Sequence, residues 1–479
     1  MNGLDVAARP HDGSSVTRGL AALLLCACGS SSTPVGDDDV TPDSSTPDPD
    51  GSVGVWTVEP ACTDELDAIY QLPAQLPAGA GALVHCSLGA LLDQAAVQAT
   101  LADSGAEGVV AQTGVREVKV AYRTSRSNGS ATMTTATIYL PVEPRALPAP
   151  VILVGRSTSG LADACAPSKE DLPGANLALP FAARGFIAVM PDFSGLGPEG
   201  THSYLDNHEA AQQLFDGALA AAALQPAGLV GDPVGAVGYS QGGGTVLSAQ
   251  ALEQTITGAH ALKAVAAIAP EWPISTRSFS YEDVLRNPSR ITGLAGLAPP
   301  TVTVLRHYGF LINRMGMTGG EAFPAAERDS IVTSINSLCT IPLGGALGAQ
   351  QLRLAELVDE TFRTEVLACI DGTAGCTGLG KAFHDWLVAD FVHADPLGAR
   401  VLIAQGLGDQ VMPAAGEAAC DVAKLRAEGV EPDLCSDLTA THDTILERKI
   451  EHVVAWVEAV ITGSTPPSCS STTLPSCSR

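Results

Sequence analysis

Positive charge is scarce in this chain. Against 52 acidic residues stand 26 basic ones, a formal net charge of −26 over 479 residues. The Lys and Arg form no dense cluster. Such a surface repels phosphate backbones and argues against nucleic acid as a partner. The apolar run at residues 19–25 is far too short to cross a bilayer as a helix. No Cys-x2-Cys pair and no closely spaced Cys/His set occurs, so no metal site is expected. Nucleotide and flavin motifs are missing too, and no cofactor is expected. No internal repeat is visible. What is present is a chain that is 46% hydrophobic and 16% charged, enough to bury one large core or two ordinary ones.

Residues 1–28 read as an export signal. Gly19 to Leu25 follows Arg18 and leads into Leu25-Cys26-Ala27-Cys28-Gly29-Ser30. That stretch resembles the lipobox of bacterial lipoproteins, with Cys28 as the lipidated residue. Cys26 is atypical for the motif, and Asp5 and Asp12 are unlike a basic n-region. An ordinary cleaved signal peptide is the other reading. Residues 29–54 are Ser, Thr, Pro, Gly and Asp around Asp37-Asp38-Asp39. With almost nothing apolar to bury, they read as a disordered acidic linker. The expected location is outside the cytoplasm, on a bacterial cell envelope as a lipoprotein or secreted. An N-terminal lipid anchor would give membrane association.

The chain has 12 cysteines. Setting aside Cys26 and Cys28 leaves an even number, which in an exported protein suggests disulfides. Proximity suggests Cys62–Cys86, Cys369–Cys376, Cys420–Cys435 and Cys469–Cys477, the last clipping the Ser/Thr/Pro-rich tail at 463–479 into a loop.

Between the two ends, strand and helix patterns alternate. Residues 131–140 are rich in β-branched side chains and alternate roughly, as an edge or half-buried strand does. Short continuous apolar runs at 150–154, 186–190, 234–239, 264–269 and 401–404 suit strands covered on both faces. Helical patterns occupy about 207–224, 241–256 and 443–461. The alternation predicts a mainly parallel sheet with helices on both faces. Residues 272–395 interrupt it with helical patterns such as 349–363 and 381–391, and read as a helical cap. The organisation is then a first core part at 55–271, the cap at 272–395 and a second core part at 396–462.

Gly238-Tyr239-Ser240-Gln241-Gly242 matches G-x-S-x-G in the right context: an apolar strand before it and a helix after it. A serine on a sharp strand-to-helix turn stands above the sheet. Side chains two residues to either side would collide there, which calls for Gly238 and Gly242. The turn also aims the Gln241 amide at a substrate oxygen near the positive end of the helix. A serine needs a base, and the base an orienting acid. Asp409 follows the strand at 401–404 in a Gly-rich turn; the competing reading is a turn-stabilising Asp. His442 sits in a loop before the final helix pattern, and neighbouring Asp443 reads as that helix's N-cap. His202, His208, His260, His307, His384 and His452 fall in the wrong chain order, in the cap or inside a helix. A second oxyanion donor is expected from the loop after 151–154, at the Ser157 or Thr158 amide. Arg156 reads more readily as a surface ion pair than as an anion binder.

These segments together resemble the secretory lipase family of α/β-hydrolases. Gly155 to Ser168, G-R-S-T-S-G-L-A-D-A-C-A-P-S, is similar to that family's H-G-T-T-G…C-A-P-S stretch. Pro191-Asp192-Phe193-Ser194-Gly195-Leu196-Gly197 with Gly200 to Leu205 is similar to P-D-Y-x-G-L-G…H-x-Y-L. The elbow is similar to G-x-S-Q-G-G, and Gly406, Asp409, Val411 and Pro413 to G-x-x-D-x-x-V-P. The likeness covers residues 115–270 and 395–460. Arg156 and Ser157 stand where the family pattern has His and Gly, and the cap carries no likeness. The resemblance implies an α/β-hydrolase fold with a helical cap between nucleophile and acid, and hydrolysis of acyl esters. The expected activity is a serine carboxylester hydrolase, esterase or lipase, acting on a small-molecule or lipid ester. A serine peptidase, a carbohydrate or polyester esterase, and a catalytically inactive surface binding protein are the alternatives.

Overall fold

A computed structural model describes residues 62–274, 279–287, 298–349, 356–469 and 473–477. The export signal, Cys28 and the acidic linker lie outside the described residues. Nine strands form one sheet: β1 (Leu83–Leu92), β2 (Val115–Ser125), β3 (Ala131–Pro141), β4 (Ala149–Gly155), β5 (Ile187–Pro191), β6 (Val230–Tyr239), β7 (Ala264–Ile268), β8 (Arg400–Gly406) and β9 (Asp433–Asp437). Their spatial order is β1-β2-β3-β5-β4-β6-β7-β8-β9. The β1–β2, β2–β3 and β3–β5 ladders are antiparallel, and every ladder from β5 to β9 is parallel. Strand β3 is interior, between β2 and β5, and buried from Met133 onward. The sequence expectation of an edge or half-buried strand is corrected accordingly. Thr135 Oγ1 on this strand donates to Asp192 at 2.5 Å.

Successive side chains point to opposite faces of a strand, and two apolar layers follow. On one face Val151, Leu153, Val265, Ala267, Val401 and Ile403 meet α3 (Asn207–Ala223), α4 (Gln241–Thr257) and α11 (Ala419–Ala427). On the other, Ile152, Val154, Ala266, Ile268 and Leu402 meet α1 (Gln94–Asp103), α2 (Leu179–Ala182) and α12 (Ile445–Thr462). After β5 the chain crosses back over β4 to lay down β6. The direction of winding therefore reverses between β4 and β6, and the crevice beyond their carboxyl ends is where this architecture binds ligands.

Between β7 and β8 come α5 (Phe279–Arg286), α6 (Ala298–Asn313), α7 (Arg328–Ser337), α8 (Thr340–Ala349), α9 (Glu360–Ile370) and α10 (Gly378–Asp390). Of the helical pattern at 349–363, residues 350–355 lie outside the described residues; Ala349 ends α8 and Glu360 to Arg363 begin α9. These helices have their own apolar centre: His307, Phe310 and Phe362 pack on Phe383 with ring centroids 5.0, 5.1 and 5.7 Å away. Bonds to the core hold them in place. Thr340 N donates to Ser159 O at 2.9 Å, Asn313 Nδ2 to Thr201 O at 3.0 Å, and Asn207 N to the Asp390 carboxylate at 2.7 Å.

Five disulfides are present among the described residues. Cys62–Cys86 and Cys369–Cys376 pair as expected. The other two expected pairs are corrected to Cys420–Cys477 and Cys435–Cys469. Helix α11, which carries Cys420, covers one face of the sheet, while Cys435 on β9 packs into the layer on the other. The sheet itself separates them, and the tail is tied to the core at two points instead of looping on itself. Cys165–Cys339 links the segment after β4 to the cap across 174 residues, a distance at which proximity in sequence carries no signal.

Candidate active site

Strand β6 delivers Ser240 onto a backbone corner with φ 56° and ψ −117°, a conformation that costs energy for a residue with a side chain. The surroundings hold it: Ser240 N donates to Ile268 O at 2.9 Å, and its carbonyl accepts from Gly244 N at 3.2 Å and Glu271 N at 3.0 Å. Two glycines make the corner possible. A Cβ at Gly238 would overlap the Gly242 carbonyl, and one at Gly242 would overlap the backbone of Gly155. The start of α4 thus lies directly on the end of β4. Gln241 is the first residue of that helix, so its N–H has no intrahelical acceptor.

Asp409 and His442 arrive from loops that pack on one another. Gly408 N donates to Ala440 O at 3.0 Å, and a Cβ at Gly406 would overlap that same carbonyl. Asp409 Oδ1 accepts from the amides of Val411 and Met412, both at 2.8 Å. Its Oδ2 accepts from His442 Nδ1 at 2.8 Å. The turn-stabilising role and the histidine contact are therefore both present, on different oxygens of one carboxylate whose side chain is fully buried. On the other side of the ring, His442 Nε2 lies 2.9 Å from Ser240 Oγ. With Nδ1–H donating to the carboxylate, Nε2 is free to accept the serine proton. Tyr239 donates its hydroxyl to His442 O at 3.0 Å, and its ring lies 5.3 Å from the imidazole. The three side chains expected from the sequence meet at one point.

No family model matches the chain, and no curated protein matches it. Solved structures do. A Legionella pneumophila protein described only as a hydrolase is 16% identical, with TM-score 0.62 over 79% of this chain and 98% of the other. Candida antarctica lipase A is 15% identical, with TM-score 0.61 over 86% and 89%. The rice cell wall degrading esterase LipA from Xanthomonas oryzae is 17% identical, with TM-score 0.57 over 80% and 97%.

The chain has the α/β-hydrolase fold. Two expectations about side chains near the site are corrected. Asp443 is exposed and does not cap α12: Thr444 holds that position, with no side-chain capping bond. Its Oγ1 instead accepts from Thr441 N at 2.9 Å. Arg156 is not a surface ion pair. Burial pushes its guanidinium pKa down, Nη1 is buried without a partner, and Nε donates to Ser157 O at 3.2 Å. Of the two expected loop donors, Thr158 is the more tied down: its Oγ1 meets Tyr204 Oη at 2.7 Å and its carbonyl accepts from Thr340 Oγ1 at 3.2 Å. Ser157 lies beside it, half-buried.

Several of the remaining histidines have other partners. His202 is buried against the elbow, 3.0 Å from Gln241 Nε2, and burial pushes its pKa down to about 3. His307 lies in the cap against Tyr281 Oη at 2.8 Å, also pushed down to about 3 by burial. His208 pairs with Asp390 at 3.0 Å. His452 joins Cys435 and Cys469 as the one candidate ligand cluster among the described residues. Both sulfurs there are bonded to each other and offer no thiolate. Among the described residues no helix is long and apolar enough to cross a membrane.

Sequence reasoning missed the pocket wall. A small cavity of about 20 Å³ is lined by Leu205, Tyr281, Val302, Met412 and the facing pair Glu271 and Arg306. Glu271 follows β7 and Arg306 lies on α6, so only the folded cap brings them together. The Pro270-Glu271 dipeptide at the end of an apolar strand was the available signal.

Proposed function

We propose that this α/β-hydrolase is a serine carboxylester hydrolase, an esterase or lipase that works through an acyl-enzyme on Ser240, and a member of the secretory lipase group. The observation that carries the proposal is the continuous chain Asp409–His442–Ser240, at 2.8 and 2.9 Å. His442 takes the Ser240 proton as Oγ attacks the ester carbonyl. Asp409 holds the imidazole in the tautomer that can accept it and stabilises the imidazolium. The Gln241 amide, at the positive end of α4, and an amide from Ser157 or Thr158 stabilise the oxyanion. His442 then returns the proton to the leaving alcohol, and water cleaves the acyl-enzyme by the reverse path. No step calls for a cofactor.

The disulfides support a protein exported from the cytoplasm, and Cys28 is the proposed site of lipid attachment. The oxyanion donors straddle the winding reversal between β4 and β6, where α/β sheets bind ligands. Labelling with a fluorophosphonate tests the nucleophile. Wild type is expected to label stoichiometrically and Ser240→Ala not at all. Equal labelling of both would remove Ser240 from the mechanism. Esters of short and medium acyl chains are expected to turn over faster than peptide amides.

A further inference from the structure

We infer that His202 and Tyr204 are positioning residues: one short segment holds both oxyanion donors, Gln241 through His202 and Thr158 through Tyr204, and so sets their separation. The inference rests on the esterase reading and deepens it. Gly155 and Gly238 are partners at the end of the β4–β6 ladder, and Thr158 and Gln241 each lie three residues beyond them. The donors therefore sit on separate turns past the last rung that joins their strands. The amides of Ser157, Thr158 and Gln241 donate to no acceptor among the described residues, so each is open to a ligand.

The side chains link the two turns. Gln241 Nε2 lies 3.0 Å from His202 Nε2. An amide nitrogen only donates, so the ring nitrogen accepts. Burial pushes the His202 pKa down to about 3, which keeps that nitrogen an acceptor. Two residues on, Tyr204 Oη meets Thr158 Oγ1 at 2.7 Å. Both peptides of Thr158 are held as well: Arg156 Nε donates to Ser157 O at 3.2 Å, and Thr340 Oγ1 to Thr158 O at 3.2 Å. In a trans peptide the N–H points opposite to the C=O, so the bond from Arg156 fixes the direction of the Thr158 N–H. The segment that carries His202 and Tyr204 is itself clamped from core and cap. Arg126 Nη1 donates to Thr201 O at 3.2 Å and to Ser203 Oγ at 3.1 Å, and Asn313 Nδ2 from α6 donates to Thr201 O at 3.0 Å. A Cβ at Gly309 of α6 would lie 3.0 Å from His202 O.

Steady-state kinetics on p-nitrophenyl butyrate test this. An oxyanion donor acts on the transition state and not on bound substrate, so losing its alignment lowers kcat and leaves KM in place. Tyr204→Phe, which removes only the hydroxyl, is expected to lower kcat about tenfold to a hundredfold, within what one donor is worth. Thr158→Val should do the same, and the double variant should lose no more than either alone, because all three lack the same bond. His202→Leu should lower kcat by a similar factor, and His202→Gln, which keeps an acceptor for Gln241, should recover most of it. If His202→Leu does not fold, the Tyr204 and Thr158 variants decide. Unchanged kcat, a loss that falls on KM, or losses that multiply in the double variant overturn the inference. Fluorophosphonate labelling run alongside separates the two readings. Wild type that labels at Ser240 while the variants keep full kcat defeats only this inference. Wild type that neither labels nor turns over the ester defeats the esterase reading, and this one with it.

Discussion

The core and the cap of this molecule are built by different means. In the core, backbone meets backbone: α4 lies on the end of β4 because Gly238, Gly242 and Gly155 have no Cβ to interfere. In the cap, helices meet through large rings centred on Phe383. Backbone contact leaves no room to adjust, and that rigidity fixes the strained serine. Side-chain packing tolerates substitution of similar volume, so one core can carry many caps. On the proposed function, the catalytic geometry belongs to the first region, and the second is where substrate preference would be set.

Substitutions can break this contrast, and the largest effect is expected at the acid. Asp409→Asn should lower kcat by about 10⁴-fold, because the amide favours the wrong imidazole tautomer, with little change in folding. Steady-state kinetics and a thermal melt check both halves. Next come paired lesions, one per region. Gly242→Ala should destabilise by about 3 kcal/mol or more, since the new methyl has only backbone to push against. It should also abolish Ser240 labelling. Phe383→Ala should cost about 3–5 kcal/mol through the cavity it leaves, yet keep measurable labelling, because the triad does not touch the cap's centre. Equal loss of labelling in both would erase the distinction. Denaturant melts with fluorophosphonate readout decide it.

The smallest effect compares two buried histidines. His202 in the core and His307 in the cap both have folded pKa values near 3 against an ordinary 6.5, through burial. Their folded pKa values are depressed and the protonated form belongs to the unfolded chain. Stability is therefore complete above pH 6.5 and is lost as pH falls from 6.5 toward 3. Each should cost about 1 kcal/mol between pH 6.5 and 5.5. His202→Gln and His307→Gln should each flatten that slope by its share, read from urea midpoints across pH.

The same division governs how much was legible beforehand. Strands β4 to β8 announce themselves as short apolar runs, because both their faces are covered. The site was legible at Gly238, Ser240, Gly242, Asp409 and His442, since strained turns admit few residue types and the triad has a fixed chain order. Strand β2 escaped because Glu117 and Lys119 break its pattern, although both are buried and lie 3.9 Å apart. Strand β9, Asp433–Asp437, has no apolar run at all. Cys165–Cys339 and the Glu271–Arg306 pair join segments far apart in sequence, so no local pattern gives either pairing. Asp443 misled because an acidic residue beside a helix start usually caps it, whereas here the chain makes a further turn first.

The most direct measurement is the mass of the trapped intermediate. Rapid mixing with p-nitrophenyl butyrate, acid quenching and peptide mass analysis should find a butyryl group on the peptide containing Ser240. A burst of p-nitrophenol of one per molecule should accompany it, and both should vanish in Ser240→Ala. Butyryl on another residue, or full turnover by Ser240→Ala, would contradict the account.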